Sequence, residues 1–355
     1  MQNLVVDNIS VVAITKNGIN TGKKLKDIHP DWEILAPAKL SDGTVNITWY
    51  QESTTEKIAK LFKSNCALIC IFSLGAVIRL VAPHLQSKKT DPAVIVIDDK
   101  ASFVISVLSG HLGGANELAG GIASEIGAVP VITTAADVNK TISVDLVGRK
   151  FGWKIDDEST VTKVSAYMVN GEKIGVFQDA GRTDWYDKLP KNVRLFDSME
   201  EMKRSGAKAF LIISDRVLKG DYLRDSVVYR PPSLAVGIGL HWDTPKKTII
   251  DGMETCLARF GLSIKSVFIL ASIKKTQEPR GLAEAGEELG MDVEYTDRDE
   301  LSKIPAPNPS ETVMAFEGTA SVSEAAAIKA AGGNLIVEKQ KFPPNLTIAI
   351  ARKIL

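Results

Sequence analysis

The sequence predicts an α/β fold, with a mostly parallel sheet in an N-terminal domain, a small α+β middle domain and an α/β C-terminal domain. Three observations lead there. Short, largely apolar runs at 67–72, 94–98, 103–108, 234–240 and 267–273 have the composition of strands covered on both faces. Segments with apolar residues at helical spacing alternate with them. Glycine-bearing turns stand where strand gives way to helix, at 73–76 and 109–114. The expected divisions are 1–148, 149–230 and 233–355, in line with a length of 355 residues and domains of about 150 residues each.

The elements follow in order. Ile9–Thr15 reads as a first strand ending in an Asn17-Gly18 turn, and residues 25–50 as irregular chain with two prolines. Glu52–Lys63 carries Ile58, Ala59, Leu61 and Phe62 at helical offsets. Ala67–Phe72 is then a buried strand, and Cys66 and Cys70, four apart in CALICIF, point to one face as small hydrophobes. Ser73-Leu74-Gly75-Ala76 opens a short helix that stops near Pro83. Lys88-Lys89 reads as a solvated face, and Val94–Asp98 as a further strand. Phe103–Leu108 runs into Ser109-Gly110-His111-Leu112-Gly113-Gly114, and Ala115, Leu118, Ala119, Ile122, Ala123 and Ile126 then share one helix face. Val129–Thr133 is a strand, and Thr134–Asn139 a polar turn.

The middle stretch has few glycine loops and holds Trp153, Tyr167, Trp185 and Tyr186. It reads as helix (Ser159–Met168), a hairpin at Asn170-Gly171, strand (Ile174–Phe177), helix (Met199–Ser205) and strand (Ala209–Ser214). Tyr229-Arg230-Pro231-Pro232 reads as a linker. Leu234–Leu240 opens the last domain, and Thr244-Pro245 is a helix start with its cap. Further elements are a strand at Val267–Ile273 and a helix over Gly281–Leu289. Asn308-Pro309-Ser310-Glu311 is another capped start. Ser321-Val322-Ser323-Glu324 is a capping box before an alanine-rich helix. Leu335–Lys339 and Leu346–Ala351 are the closing strands.

Composition narrows the function. Lys plus Arg and Asp plus Glu both number 43, which gives no global bias toward nucleic acid or an anionic membrane. No apolar run approaches the roughly 20 residues a bilayer span requires, and the N-terminus has no leader pattern, so a cytoplasmic location is expected. Three cysteines do not form a disulfide framework. His29, His84, His111 and His241 lack zinc-ligand spacing, so no protein-bound metal is expected.

The best site candidate is the loop at 109–114. A helix N-terminus offers free amides and the positive end of a dipole to an anion or a developing negative charge. Gly113 and Gly114 N–H groups are candidate donors to an oxyanion, and His111 is a candidate for activating water. Asn116 and Glu117 lie in the first helical turn, and Gly110 shapes the bend. Gly75 and Arg79 belong to the second strand-to-helix turn, where a guanidinium can pair with a carboxylate. If the strands run parallel, Ser73–Arg79, Ser109–Glu117 and Thr133–Asp137 come to one edge, in a cleft against another domain. The loop lacks the Gly-Lys-Ser/Thr of a P-loop and the Gly-x-Gly-x-x-Gly of a dinucleotide site.

LSGHLGGANELA, with LGAVIRLVAPHL and KKTDPAVIVID before it and PVITTAADVN after it, resembles the cobalt-precorrin-5A hydrolases of anaerobic cobalamin (vitamin B12) biosynthesis. VGIG, NPSETV, GTASVSEAAAI and TIAIAR follow in the family's order. The chain departs from the family where Gly-x-Gly-Cys, a basic residue and Gly-Thr usually stand. Here Leu240, His241, Trp242, Asp243 and Thr244 follow Gly239, and Phe342–Asn345 replaces the usual Ser-Gly-Asn.

The resemblance implies a hydrolase that opens the ring A δ-lactone of a cobalt corrinoid and releases acetaldehyde, giving cobalt-precorrin-5B. The cobalt comes with the substrate, so no separate cofactor is implied. The loop read from the residues suits that reaction: the candidate catalytic residues are His111 and Glu117, with Arg79, Gly75, Gly110, Gly113, Gly114 and Asn116 as candidates for binding substrate. A non-catalytic corrinoid carrier or scaffold of the same pathway is the alternative. Other enzymes of cobalamin biosynthesis and a second copy of the chain stay open as partners.

Overall fold

The computed structural model describes residues 8–64, 67–88 and 90–354. The chain divides into two compact units, Met1–Leu146 and Val147–Leu355.

The first unit runs β1 (Ile9–Ala13), α1 (Lys16–Ile28), β2 (Glu33–Pro37), β3 (Thr48–Tyr50), α2 (Thr54–Ser64), β4 (Ala67–Ile71), α3 (Leu74–Val81), β5 (Ala93–Ile97), β6 (Phe103–Leu108), α4 (Ala115–Ile126), β7 (Val129–Val131) and α5 (Ala135–Val138). Its sheet order is β3-β2-β1-β4-β5-β6-β7. Both faces are covered, which is why the central strands are apolar at successive positions. Val11, Ile69 and Ile95 pack with Leu118 and Ile122 of α4 on one side. Val12, Leu68 and Val94 pack with Ile58, Val77 and Val81 of α2 and α3 on the other. Each such side chain contributes about 1.5–3 kcal/mol by leaving water.

One pairing reorganises the expected site. β5 and β6 are antiparallel, with Val94 opposite Leu108 and Ile97 opposite Val104, while β6 and β7 are parallel. The carboxyl ends of β6 and β7 therefore lie at the edge where β4 and β5 begin. The 109–114 loop and Thr134–Asp137 share that edge, and Ser73–Arg79, beyond the end of β4, sits at the opposite one.

Other local expectations also change. Asn17-Gly18 lies inside α1, because Thr15 caps the helix by accepting from Gly18 N–H. The irregular 25–50 stretch contains β2 and β3, each parallel to its neighbour. Cys70 is buried as expected; Cys66 and Lys89 lie outside the described residues.

The second unit holds two sheets. One comprises β8 (Lys154–Ile155), α6 (Val161–Val169), β9 (Ile174–Gln178), β10 (Val193–Phe196), α7 (Met199–Arg204), β11 (Ala209–Ile213) and β12 (Ser226–Arg230), in strand order β10-β9-β11-β12-β8. Its strands are parallel except β8. Gly171, with φ 72°, turns α6 into β9 and forms no hairpin. Tyr229 and Arg230, expected in a linker, lie buried in β12.

The other sheet comprises β13 (Leu234–Leu240), α8 (Lys246–Arg259), β14 (Val267–Ile273), α9 (Arg280–Leu289), β15 (Asp292–Thr296), α10 (Arg298–Leu301), α11 (Glu311–Glu317), α12 (Val322–Ala331), β16 (Asn334–Phe342) and β17 (Leu346–Arg352). The strand order is β15-β14-β13-β17-β16, with β13, β14 and β15 parallel. Three helix starts differ from their sequence signatures. Pro245 precedes α8, and Thr244 makes no capping bond. Ser310, not Asn308, caps α11. Ser321 makes no capping bond to α12, whose buried Glu324 accepts instead from the Asn308 side chain and from the Asn308 and Lys339 amides.

Candidate active site

The edge formed by β6 and β7 carries a connected polar cluster. Asn116 lies in the first turn of α4 with its side chain buried, where unpaired polar groups are costly, and both its amide oxygen and its amide nitrogen are engaged. Its Oδ1 accepts from Ser106 Oγ at 2.6 Å, and its Nδ2 donates to Thr134 Oγ1 at 2.9 Å and to Asp137 Oδ2 at 2.6 Å. Asp137 Oδ2 also faces His111 Nε2 at 3.1 Å. On the far side of the ring, His111 Nδ1 lies 3.3 Å from Asp145 Oδ1. The imidazole is held between two carboxylates, the arrangement that suits the doubly protonated ring, a donor at both nitrogens.

The electrostatics follow. The Asp145 hydrogen bond raises the His111 pKa above its ordinary value of 6.5; burial opposes this, and the Asp145 charge and Asp137 add to the rise. Burial pushes the Asp145 carboxyl up, but the His111 hydrogen bond and charge more than offset it and leave it below its ordinary 3.8. The ring is charged over a wider pH range than a free histidine.

The glycines are required by close approach. A β-carbon on Gly110 would stand 2.5 Å from Asn116 Oδ1, and one on Gly113 would stand 2.7 Å from the Ser109 carbonyl. Ser109 itself adopts φ 55° and donates from its hydroxyl to the Asp91 carbonyl at 2.8 Å. A non-glycine residue in the left-handed region is uncommon and here fixes the bend at the end of β6. Residues 109–114 are all half-buried.

The expected site residues are only partly brought together. His111, Asn116, Gly110, Gly113 and Gly114 converge. Gly114 N–H is already used, donating to the His111 carbonyl at 3.1 Å, and Asn116 N–H donates to the Gly110 carbonyl at 3.0 Å. Of the two expected oxyanion donors, only Gly113 N–H is left to a ligand. Glu117 is exposed in the first turn of α4 and takes no part in the bonds of the cluster. Gly75 and Arg79, both exposed, lie at the opposite sheet edge. With both ring nitrogens against carboxylates, His111 is poorly placed to take a proton from water.

Asp137, Asp145, Ser106 and Thr134 are the additions. Asp137 stood in a stretch read as a polar turn. Asp145 is an acid set between Val144 and Leu146, a pattern that points to a partnered carboxylate. Among the described residues no group of three or more His, Cys, Asp or Glu side chains is arranged to hold a metal ion.

Comparison with known proteins assigns the chain to a family. It matches the family models described as "Cobalamin synthesis G N-terminal" over residues 56–137, "Cobalamin biosynthesis central region" over 142–231 and "Cobalamin synthesis G C-terminus" over 234–351. It is 40% identical to the cobalt-precorrin-5A hydrolase of Priestia megaterium, covering 96% of this chain and 94% of that protein. The enzyme of the same name from Salmonella typhimurium is 30% identical over 69% of each chain. A solved structure of a cobalamin biosynthesis protein from Agrobacterium tumefaciens aligns at 27% identity and a TM-score of 0.27, covering 34% of this chain and 98% of its own. The chain belongs to the cobalt-precorrin-5A hydrolase family.

Proposed function

We infer that this chain hydrolyses cobalt-precorrin-5A, opening the ring A δ-lactone and releasing acetaldehyde to give cobalt-precorrin-5B. The observation that carries the reading is 40% identity to a curated enzyme of that name over nearly the whole of both chains. The substrate is a cobalt corrinoid; the cobalt arrives with it, and no further cofactor is proposed. No helix among the described residues is long and apolar enough to cross a membrane, and the cytoplasm is the proposed location.

The geometry supports a division of labour. Hydrolysing a lactone places negative charge on the carbonyl oxygen and then on the departing alkoxide. Gly113 N–H is the donor on hand for that charge, and the His111 imidazolium, its two N–H groups committed to Asp137 and Asp145, stabilises it as a fixed positive charge. His111 then acts through its charge, not as the base expected from its residue type. The Asp137 carboxylate commits Oδ2 to His111 and Asn116 and leaves Oδ1 to receive a proton from the attacking water. Asp145 and Asn116 are positioning residues, one holding the charge on the ring and the other holding Asp137. Breaking the carbon–carbon bond requires an electron sink, which the conjugated macrocycle supplies.

The test is to incubate the purified full chain with cobalt-precorrin-5A and trap acetaldehyde. Aldehyde release that collapses in His111→Gln supports the reading. Folded protein that yields no aldehyde overturns it, and tight corrinoid binding without turnover would favour the carrier alternative.

A further inference from the structure

In the second unit, a cleft of about 570 Å³ is lined by Trp242, Thr244, Lys246, Lys247, Arg280 and Glu284, among others. It sits where α8 and α9 begin side by side. A β-carbon on Gly281 would stand 2.2 Å from the Thr244 carbonyl oxygen and 2.9 Å from Lys246 N, so the two starts meet through that glycine. Both are preceded by prolines, Pro245 and Pro279, and neither has a side-chain cap. Among the described residues the N–H groups of Lys246, Lys247, Arg280 and Gly281 meet no backbone acceptor. Two positive dipole ends therefore serve one concavity.

The side chains point to the same class of ligand. A helix's first turn disfavours cations, yet Lys246 and Lys247 begin α8 and Arg280 begins α9. Each has a carboxylate partner: Glu288 at 2.5 Å, Asp251 at 2.8 Å and Glu284 at 2.7 Å. These pairs are solvent-exposed and of a kind worth little, so an incoming carboxylate can replace the internal one. The other acids of the rim are Glu278 and Asp243, and Asp243 is engaged by His241 at 2.6 Å. Thr244 Oγ1 lies enclosed beside the cleft with no partner. Trp242, half exposed, offers a flat apolar face at the entrance.

We propose that this cleft is a corrinoid-docking site, in which Lys246, Lys247, Arg280 and the two helix starts take carboxylate arms of the substrate and Trp242 lies against the macrocycle edge. It is formed by the stretch after Gly239 where the chain departs from its family. The proposal names a binding site for the substrate of the hydrolase reading and rests on that reading for the ligand's identity.

The probes are dicyanocobyrinic acid, a corrinoid with free carboxylates, and its fully methyl-esterified form, titrated calorimetrically into the full chain. The acid should bind about tenfold tighter than the ester, and the advantage should shrink as salt is added. Replacing Lys246, Lys247 and Arg280 together by Gln should weaken the acid about tenfold and leave the ester unchanged, while Trp242→Ala should weaken both. If the triple variant is not folded, Lys247→Gln and Arg280→Gln singly make the same comparison. Acid binding that is as tight in folded variants as in the parent chain overturns the site. Aldehyde release from cobalt-precorrin-5A separates the two readings. Release with an unchanged KM in the variants rejects the docking site alone, and cation-dependent acid binding without any aldehyde rejects the hydrolase reading alone.

Discussion

His111 in the first unit and Asp215 in the second are both charged groups held by opposite charges, yet their surroundings assign them different work. Asp215 is fully enclosed. It takes Arg352 through two hydrogen bonds, at 2.8 and 2.6 Å, and the Ser233 hydroxyl at 2.9 Å. Asp215 follows β11 of one sheet and Arg352 ends β17 of the other, so the pair fastens one sheet to the other, and the enclosed carboxylate is out of a ligand's reach. His111 sits on a half-buried loop between Asp137 and Asp145, with the Asp137 side chain 41% exposed. Its position is fixed but its surroundings are open. A pair whose carboxylate is wholly enclosed serves the fold, and one whose carboxylate a ligand can reach is available for chemistry.

Substitutions test that contrast. His111→Gln should lower kcat about 10²–10³-fold, while the loss of its partly exposed ion pairs costs only about 1 kcal/mol in a urea titration; a loss of stability large enough to account for the loss of rate would make His111 another fastening. Asp215→Ala should cost about 3–5 kcal/mol of stability, because it strands the Arg352 guanidinium, a change that urea titration reads directly. Activity lost in Asp215→Ala protein that is still fully folded would break the contrast from the other side. Asn116→Ala should cost about 1–3 kcal/mol and also slow aldehyde release, since it both unpairs buried groups and frees Asp137. Glu117→Gln should cost only about 0.3–1 kcal/mol, the worth of an acid in a helix's first turn, as read from thermal unfolding.

The loop was legible because its causes are local. An apolar strand, three glycines and a helical apolar stripe at 103–127 specify β6, the bend and α4 without reference to the rest of the chain. The same holds for β13 and β14. Strand direction was harder, because it depends on pairing between distant residues. A signal was nonetheless present: the five residues between Ile97 and Phe103 are too few for a parallel crossover. That short connection forces the antiparallel step and separates Arg79 from His111. The partners of His111 were hidden for a related reason. Asp137 and Asp145 lie 26 and 34 residues along the chain, and only the parallel pairing of β6 with β7 returns that stretch to the loop. The capping signatures at Thr244 and Ser321 did not hold, as neither side chain bonds to the helix it precedes.

The pH dependence follows with its sign. The raised pKa of His111 means that its pairing stabilises the fold at low pH and is lost as pH rises through that value. The lowered pKa of Asp145 means that its share is lost as pH falls through its own value. The pair is therefore intact between the two.

The most direct measurement is the pH profile of kcat for acetaldehyde release, taken for the parent chain and for Asp145→Asn. A required imidazolium charge predicts a rate that falls as pH rises through the elevated His111 pKa, with the fall moved to lower pH in Asp145→Asn, which lacks the main cause of the elevation. A rate that climbs with pH over that range, or a profile unmoved by Asp145→Asn, would contradict it.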